Sequence, residues 1–263
     1  MRFAATLRFL AALVATNLRA AYAHRGAFWL QTTLMIVNDA VYFTVWWIFF
    51  HRFPEVAGWR VADMMALQGL VAGSIGLAWV VAGGARNLAR TISEGDLDVF
   101  LTRPKPVVLQ AVSSTTIASG LGDLAYGVAM TTASGLVRPE TVPILVVGAV
   151  CAAVAFLSFA VIVHSLAFWA GDTNTLTRQA QDWLATVSQY PESIFGPGLR
   201  AVLYGLLPAG LVGWLPVSLL RDFAWTRFAT LVGATAVAAA LALYVFHRGL
   251  VRYASGSRVR VGI

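Results

Sequence analysis

Residues 27–50 read AFWLQTTLMIVNDAVYFTVWWIFF, and their length and apolar character indicate the class of fold. A transmembrane helix needs about 20 mostly apolar residues. The stretch is long enough, and its aromatic residues crowd both ends, as they do at a membrane interface. Three more stretches satisfy the same rule, at residues 61–83, 142–170 and 227–247. The sequence therefore predicts an all-α protein that crosses the bilayer several times.

The composition agrees with a membrane protein. Of the 263 residues, 59% are hydrophobic and 12% are charged, whereas a soluble domain carries about 25% charged residues. Much of a soluble protein's surface must stay polar, so the surplus apolar side chains are expected to face lipid. The single cysteine, Cys151, excludes an internal disulfide, a zinc cage and an iron–sulfur site.

Two weaker stretches raise the expected number of spans to six. Residues 107–136 contain many Ser, Thr and Gly residues together with Asp123, and residues 174–192 contain Arg178 and Asp182. Polar side chains in a span are expected where the helix faces other helices or an aqueous path instead of lipid.

Residues 193–220 are apolar but contain three prolines and five glycines. Proline lacks the backbone donor that a helix needs, and irregular backbone survives in lipid only where protein or water satisfies it. We predict two short half-helices that enter the outer leaflet and return. The alternative is one kinked transmembrane helix, which would give seven spans and put the termini on opposite sides.

The first 24 residues predict an amphipathic helix that lies in the membrane interface. The apolar side chains that share one face of a helical projection are Phe3, Leu7, Leu10, Val14 and Leu18. Arg8 and Arg19 fall on the opposite side. The alternative is a secretory signal peptide, against which the polar interruptions at Arg8, Asn17 and Arg19 argue.

The basic residues predict the orientation. With six spans and an internal N-terminus, thirteen of the 19 Lys and Arg residues fall in the inner segments. The outer segments hold the other six: Arg52, Arg60, Arg138, Arg200, Arg221 and Arg227. This bias favours cytoplasmic termini, and the net charge of +7 suits anionic lipid headgroups better than nucleic acid.

The chain carries no motif of an enzyme. It has no G-x-x-x-x-G-K-[ST] loop for phosphate, no H-E-x-x-H and no G-x-S-x-G. The four histidines are scattered along the sequence and are expected to be interfacial or packing residues. The sequence therefore predicts neither an ATPase site nor a catalytic or metal site.

The most informative loop is ARNLARTISEGDLDVFLTRPKPVVLQ, residues 85–110. We expect a helix over residues 86–93, a glycine at position 95, and then a short amphipathic turn. Its apolar residues are Leu97, Phe100 and Leu101, and its acidic residues are Glu94, Asp96 and Asp98. The loop is either an ordinary polar connection or a docking surface for a soluble partner.

Residues 92–104, ISEGDLDVFLTRP, resemble the cytoplasmic signature of ABC-2 type transporter permeases. The nearest group is the small six-span bacterial family that is often encoded as a pair of permeases with an ATPase. There the pattern reads roughly as Gly, then Leu-Asp, then Leu-x-Arg-Pro. Residues 247–256, HRGLVRYASG, resemble that family's basic ending, and the proline-rich residues 190–216 resemble its segment before the last span. Thr102 departs from the aliphatic residue common there.

The resemblance implies a single ABC-2 type (type V) exporter transmembrane domain over residues 1–263. It comprises an elbow helix at 1–24, a coupling loop at 86–105 and re-entrant half-helices at 193–220. The implied function is that of a permease subunit, which exports a hydrophobic or amphipathic substrate from the cytoplasm or inner leaflet. ATP and Mg²⁺ would bind to a partner ATPase, and this chain would hold no cofactor. The implied ATPase contacts are Glu94, Gly95, Asp96, Leu97, Asp98, Leu101, Arg103 and Pro104.

The same resemblance implies an assembly. ATPases of this kind act in pairs and each permease has one coupling turn, so two ATPase subunits and a second permease, identical or homologous, are expected as partners. The expected location is the bacterial plasma (inner) membrane, with both termini in the cytoplasm. The GxxxG step at Gly69 and Gly73, followed by Gly76, fits either packing within the chain or a dimer seam.

Two acidic residues lie inside predicted spans. A charged group in the bilayer costs roughly 2.5–3.5 kcal/mol on insertion scales, so Asp39 and Asp123 should face protein or water. They are either polar contacts on the substrate path, together with Asn38, or helix-to-helix hydrogen bonds to a neighbouring Ser or Thr. They also leave open the alternative function of an ATP-independent channel or ion-coupled secondary transporter.

Overall fold

The computed structural model describes the backbone of residues 2–253 and the side chains of residues 4–253. The Phe3 side chain and the end of the C-terminal run, residues 254–256, lie outside the described part. The helices are α1 (Arg2–Tyr22), α2 (Arg25–Arg52), α3 (Val61–Ala82), α4 (Leu88–Ser93), α5 (Asp98–Leu101), α6 (Val107–Val112), α7 (Ser119–Ala133), α8 (Val142–His164), α9 (Ala167–Ala170), α10 (Asn174–Ser188), α11 (Pro197–Gly205), α12 (Leu215–Arg221) and α13 (Trp225–Leu250).

Short elements complete the fold. Strands β1 (Glu55–Val56) and β2 (Trp59–Arg60) form an antiparallel hairpin. Single turns of 3-10 helix lie at Gly83–Asn87, Pro139–Thr141 and Glu192–Ile194, and a π-helical turn at Gly210–Trp214 precedes α12. The hairpin precedes α3 and the Gly83–Asn87 turn follows it, so these two features mark opposite ends of the bundle, about 33 Å apart at 1.5 Å per residue. We name them the hairpin end and the turn end.

Four stretches of the described chain are long and apolar enough to cross a membrane: Arg25–Arg52, Val61–Ser93, Pro139–Ala170 and Trp225–Leu250. They correspond to the four strong spans that the sequence predicts. The fifteen residues of α7 or of α10 cover about 22 Å, less than the roughly 30 Å of a bilayer core. Neither of the two weaker predicted spans therefore reaches full length as one helix.

The weak span predicted over residues 107–136 is divided. Helix α6 ends at Val112 and α7 begins at Ser119. In the break, the Thr116 hydroxyl donates to the Val80 carbonyl at 2.8 Å, and the Ile117 N–H donates to the Trp79 carbonyl at 3.1 Å. Short polar side chains compete for backbone groups in this way, and here they fasten the break to the end of α3.

Helices α3 and α7 form the most closely packed pair. A Cβ atom added at Gly127 of α7 would lie 2.5 Å from the Gly73 Cα, and one added at Gly69 would lie 2.7 Å from the Thr131 nitrogen. One added at Gly76 would lie 2.5 Å from the Gly120 carbonyl oxygen. Small residues let helix backbones approach closely. The GxxxG step of α3 therefore packs within the chain, against α7.

Helix α2 lies at the side of the bundle. Its buried residues are Phe28, Thr32 and Phe50, and its closest contact is with α7, where a Cβ on Gly122 would lie 2.4 Å from the Thr32 carbonyl oxygen. Helix α1 precedes it and is joined to the bundle by the Asn17 side chain, which donates to the Ser113 carbonyl at 2.9 Å. Leu7 is 51% exposed, so the predicted apolar face of α1 is only partly covered by protein.

Helix α11 and the helical segment Gly210–Arg221 form a pair bent by 82°. At the bend, Gly210 has no room for a side chain, because a Cβ would lie 2.1 Å from the Tyr204 ring. The C-terminal end of the pair lies at the hairpin end of the bundle, where Arg221 donates to the Gly58 carbonyl at 2.7 Å and pairs with Asp63 at 3.1 Å. Near the bend, Tyr204 donates to Glu192 at 2.9 Å.

Candidate functional site

The loop between α4 and α6 folds into a compact turn, which we name the Gly95 turn (residues 94–104). Gly95 has φ +84°, a conformation that costs glycine little and other residues more. It reverses the chain after α4, and the Asp96 N–H then donates to the Thr91 carbonyl at 3.0 Å. The Gln110 side chain donates to the Lys105 carbonyl at 2.8 Å and holds the far side of the turn.

The turn has a buried side and an exposed side. Leu97 is fully buried, in a cluster with Leu88, Ile92 and Val108. Its side chain holds the turn on the bundle, and its contact with a partner ATPase stays a prediction. Val99 is 56% exposed and Leu101 is 46% exposed.

The exposed surface of the turn is mixed in character. Of the predicted contact residues, Glu94, Asp96, Leu101, Arg103 and Pro104 are exposed, and Gly95 and Asp98 are half-buried. The Glu94 carboxylate pairs with Arg90 at 2.8 Å, and both side chains remain largely in solvent. Exposed pairs of this kind contribute little to stability, so they can exchange partners readily.

Val99 was missed by the sequence analysis. The residues around it, Leu97, Phe100 and Leu101, are also apolar, and α5 is a single turn of helix. In a single helical turn, only the side chains on one side can point toward the bundle. The inward side holds Leu97 and half-buried Phe100, which leaves Val99 and Leu101 outside.

A buried histidine lies beneath the Gly95 turn. His164 is fully buried, and its Nδ1 accepts a hydrogen bond from the Ala89 N–H at 3.2 Å. Since Nδ1 is an acceptor, Nε2 is the donor, and the Gln181 Oε1 lies 3.4 Å from it. His164 therefore joins α4, α8 and α10, in agreement with the predicted packing role.

A polar cavity of about 350 Å³ lies between α2, α3, α7, α8 and α10. Asp39 of α2 and Asp123 of α7 both line it, and their carboxyl groups lie close enough to share a hydrogen bond when one of them is protonated. The group that faces Asp39 across the helices is therefore the other carboxyl and not a Ser or Thr, and its place on a substrate path stays a prediction. Within the described residues, neither carboxyl forms an ion pair with an arginine or lysine. Asn38 is exposed and hydrogen-bonds to Asp39 from outside the cavity.

An ion pair lies at the turn end of the cavity. Arg86 donates to the two oxygens of Asp182 at 2.8 and 3.2 Å, and its guanidinium lies 5.3 Å from the Trp79 ring. Bidentate geometry makes this stronger than an ordinary surface pair. The sequence analysis placed Arg86 in the loop and Asp182 in a weak span, and their separation of 96 residues left no local signal of the contact.

A second cavity, of about 470 Å³, continues along α2 toward the hairpin end. Tyr42, which lines it, follows Asp39 by three residues and so stands on the same side of α2. Most of its walls are aromatic: Tyr42, Trp46, Phe49, Phe50, Trp59 and Tyr190. Tyr42 and Trp46 therefore face a cavity, whereas Trp47 is 54% exposed, as a membrane anchor is expected to be.

Residues 36–257 match the family model described as ABC-2 family transporter protein. The matched range includes the Gly95 turn, the bent pair and the residues that line the two cavities except Met35, and it begins within α2. The search of curated proteins and the search of solved structures both find no match.

Proposed function

Because the chain belongs to the ABC-2 family of transporter proteins, we propose that it is the permease subunit of an ATP-binding cassette exporter. It moves a hydrophobic or amphipathic substrate out of the cytoplasm or the inner leaflet. A separate ATPase, with its own ATP and Mg²⁺, supplies the energy. Two ATPase subunits and a second permease, identical or homologous, complete the assembly in the bacterial plasma membrane.

The observation that carries this proposal is the exposed surface of the Gly95 turn. Apolar Val99 and Leu101 stand in solvent beside acidic Glu94 and Asp96. Apolar contacts surrounded by polar groups are typical of protein interfaces. The turn belongs to a short segment that is anchored on its other side by Leu97, so a force applied to its surface reaches the bundle.

The packing beneath the turn supports a mechanism by rigid-body movement. The α4 segment follows α3 directly, and His164 ties it to α8 and α10. Helices α3 and α7 interlock through Gly69, Gly73 and Gly127 and must move together. Closure of the ATPase pair would therefore tilt α3 and α7 as one unit within the bundle.

The two cavities along α2 form the proposed substrate path. A movement between α2 and the α3–α7 pair changes the width of the cavity that Asp39 and Asp123 line. An amphipathic substrate has a polar part that suits this carboxyl pair and an apolar part that suits the aromatic cavity beyond it. The Arg86–Asp182 pair stands at the entrance from the turn end.

The proposed topology has six spans and both termini in the cytoplasm. Helices α7 and α10 complete their crossings together with the adjoining residues, and α11 and α12 form the re-entrant pair of the single domain. The α1 helix serves as the elbow in the interface. In this orientation the hairpin end faces outward, and the six arginines assigned to the outside lie in or next to elements at that end. The larger number of basic residues then lies on the cytoplasmic side, as the positive-inside rule requires.

The proposal is tested on the permease expressed with a candidate ATPase subunit from the same organism. The double variant Val99→Glu with Leu101→Glu places two charges on the exposed surface and leaves Leu97 in place. We expect co-purification of the ATPase to fall at least about tenfold, as for loss of an apolar interface anchor.

The matched control is Val251→Glu, because Val251 is 86% exposed and also lies at the turn end. It should leave co-purification unchanged. Unchanged co-purification and ATP hydrolysis in the double variant would contradict the proposal. Flux of a hydrophobic dye through the purified permease without ATP would favour the channel or ion-coupled alternative.

A further inference from the structure

Within the described residues, the C-terminal run that begins at His247 reaches the Gly95 turn at Tyr253. The Tyr253 hydroxyl donates a hydrogen bond to the Gly95 carbonyl. The Asp98 carboxylate also lies close to this hydroxyl. Tyr253, which follows Gly95 by 158 positions in the sequence, therefore binds the backbone at the point where the chain reverses.

The Tyr253 ring continues this contact to the last helix. It packs edge-on against Phe168, with ring centroids 6.3 Å apart, and Phe168 packs against Phe246 of α13 at 5.4 Å. Gly249 makes room for this arrangement, since a Cβ there would lie 2.1 Å from the Phe168 ring. Gly249 and Tyr253 of the C-terminal run thus both serve to pack Phe168 between α13 and the turn.

The surroundings keep the hydroxyl available as a donor. Burial and the neighbouring Asp98 carboxylate raise the pKa of Tyr253 to about 12. The hydroxyl therefore stays protonated at physiological pH. An open groove of about 760 Å³, lined by Arg90, Glu94, Asp172 and Tyr253, runs beside the contact, so Tyr253 lies at the edge where the turn and the end of α13 meet.

We propose that Tyr253 is a positioning residue that fastens the Gly95 turn to the end of α13. The inference rests on the proposed function, in which an ATPase pushes the turn. Through α4 the push reaches α3, and through Tyr253 and Phe168 it reaches α13. Both helices then follow the turn as one unit, and without the hydroxyl the turn moves and α13 does not.

The test uses the full-length permease with Cys151→Ala and spin labels on cysteines at Asp96 and Val251, measured alone and with the ATPase trapped by ATP and vanadate. With Tyr253 present, we expect one narrow distance distribution in both states. Tyr253→Phe keeps the ring and removes the donor, so the distribution should broaden, and should shift on trapping. The fraction of the narrow population should fall about threefold to tenfold, as for loss of one hydrogen bond.

Two comparisons separate positioning from general stability. Tyr244→Phe changes an exposed tyrosine of α13 and should leave the distances unchanged. Co-purification of the ATPase should be equal in all variants, since Tyr253 lies behind the contact surface. An unchanged distribution in Tyr253→Phe overturns the inference. If the unmodified permease binds no ATPase, the proposed function fails. The distance between the two spin labels in the permease alone still tests whether Tyr253 connects the turn to α13.

Discussion

The glycine seam between α3 and α7 makes a quantitative prediction. Gly127→Ala would place a methyl group 2.5 Å from the Gly73 Cα, 2.6 Å from the Gly69 carbonyl oxygen and 2.7 Å from the Gly73 nitrogen. All three atoms belong to the backbone of α3, so no side chain can rotate away. Carbon atoms pack best at about 3.5–4.0 Å, and the two helices must separate by about 1 Å.

The control for this change lies directly across the seam. Gly73→Ala would place its methyl group 3.5 Å from the Gly127 Cα, which is an ordinary contact. Both substitutions gain about 1 kcal/mol of helix propensity, and that gain cancels in the comparison. Overpacking typically costs 1–3 kcal/mol, so Gly127→Ala should be about 1–3 kcal/mol less stable than Gly73→Ala.

The measurement is unfolding of both purified variants in mixed micelles, followed by tryptophan fluorescence. Gly73→Ala should unfold at or slightly above the midpoint of the unmodified protein, and Gly127→Ala clearly below it. Equal midpoints for the two variants would show that the seam is loose, and would remove the reason for treating α3 and α7 as one rigid unit.

Two other predictions concern the Arg86–Asp182 ion pair and the buried His164. Asp182→Arg should lower the free energy of unfolding by about 1 kcal/mol, because it sets two cations side by side at a half-exposed site. Adding Arg86→Asp should restore most of this loss in a double-mutant cycle. Failure of the rescue would mean that the Arg86–Asp182 pair does not form. His164→Ala should lower the free energy of unfolding by about 1–3 kcal/mol, because the buried Ala89 N–H loses its hydrogen-bond acceptor. Thermal unfolding measures the loss, and His247→Ala, at an exposed histidine, serves as the control. Equal stability of the two variants would contradict the hydrogen bonds assigned to His164.

The long apolar helices could be predicted from the sequence because their signal is local. Length and composition alone predict α2 from residues 27–50 and α3 from residues 61–83. The reversal at Gly95 could also be predicted, since a glycine between two short helical patterns is a common chain stop.

Other features depend on contacts between distant residues. The break of the 107–136 stretch depends on hydrogen bonds from Thr116 and Ile117 to the end of α3, which no periodicity reports. The same holds for the pairing of Asp39 with Asp123. Each carboxyl alone predicts a polar neighbour, but only the packing of α2 on α7 shows that the neighbour is the other acid.

The lateral position of α2 has a consequence for how cargo is loaded. This helix supplies one wall of both cavities, yet Phe28, Thr32 and Phe50 are its only buried residues. The other side chains of α2 are exposed or half-buried, so this helix stands between the two cavities and the surrounding lipid. In the proposed exporter, a substrate taken from the inner leaflet would therefore enter the cavities past α2, directly from the acyl-chain region.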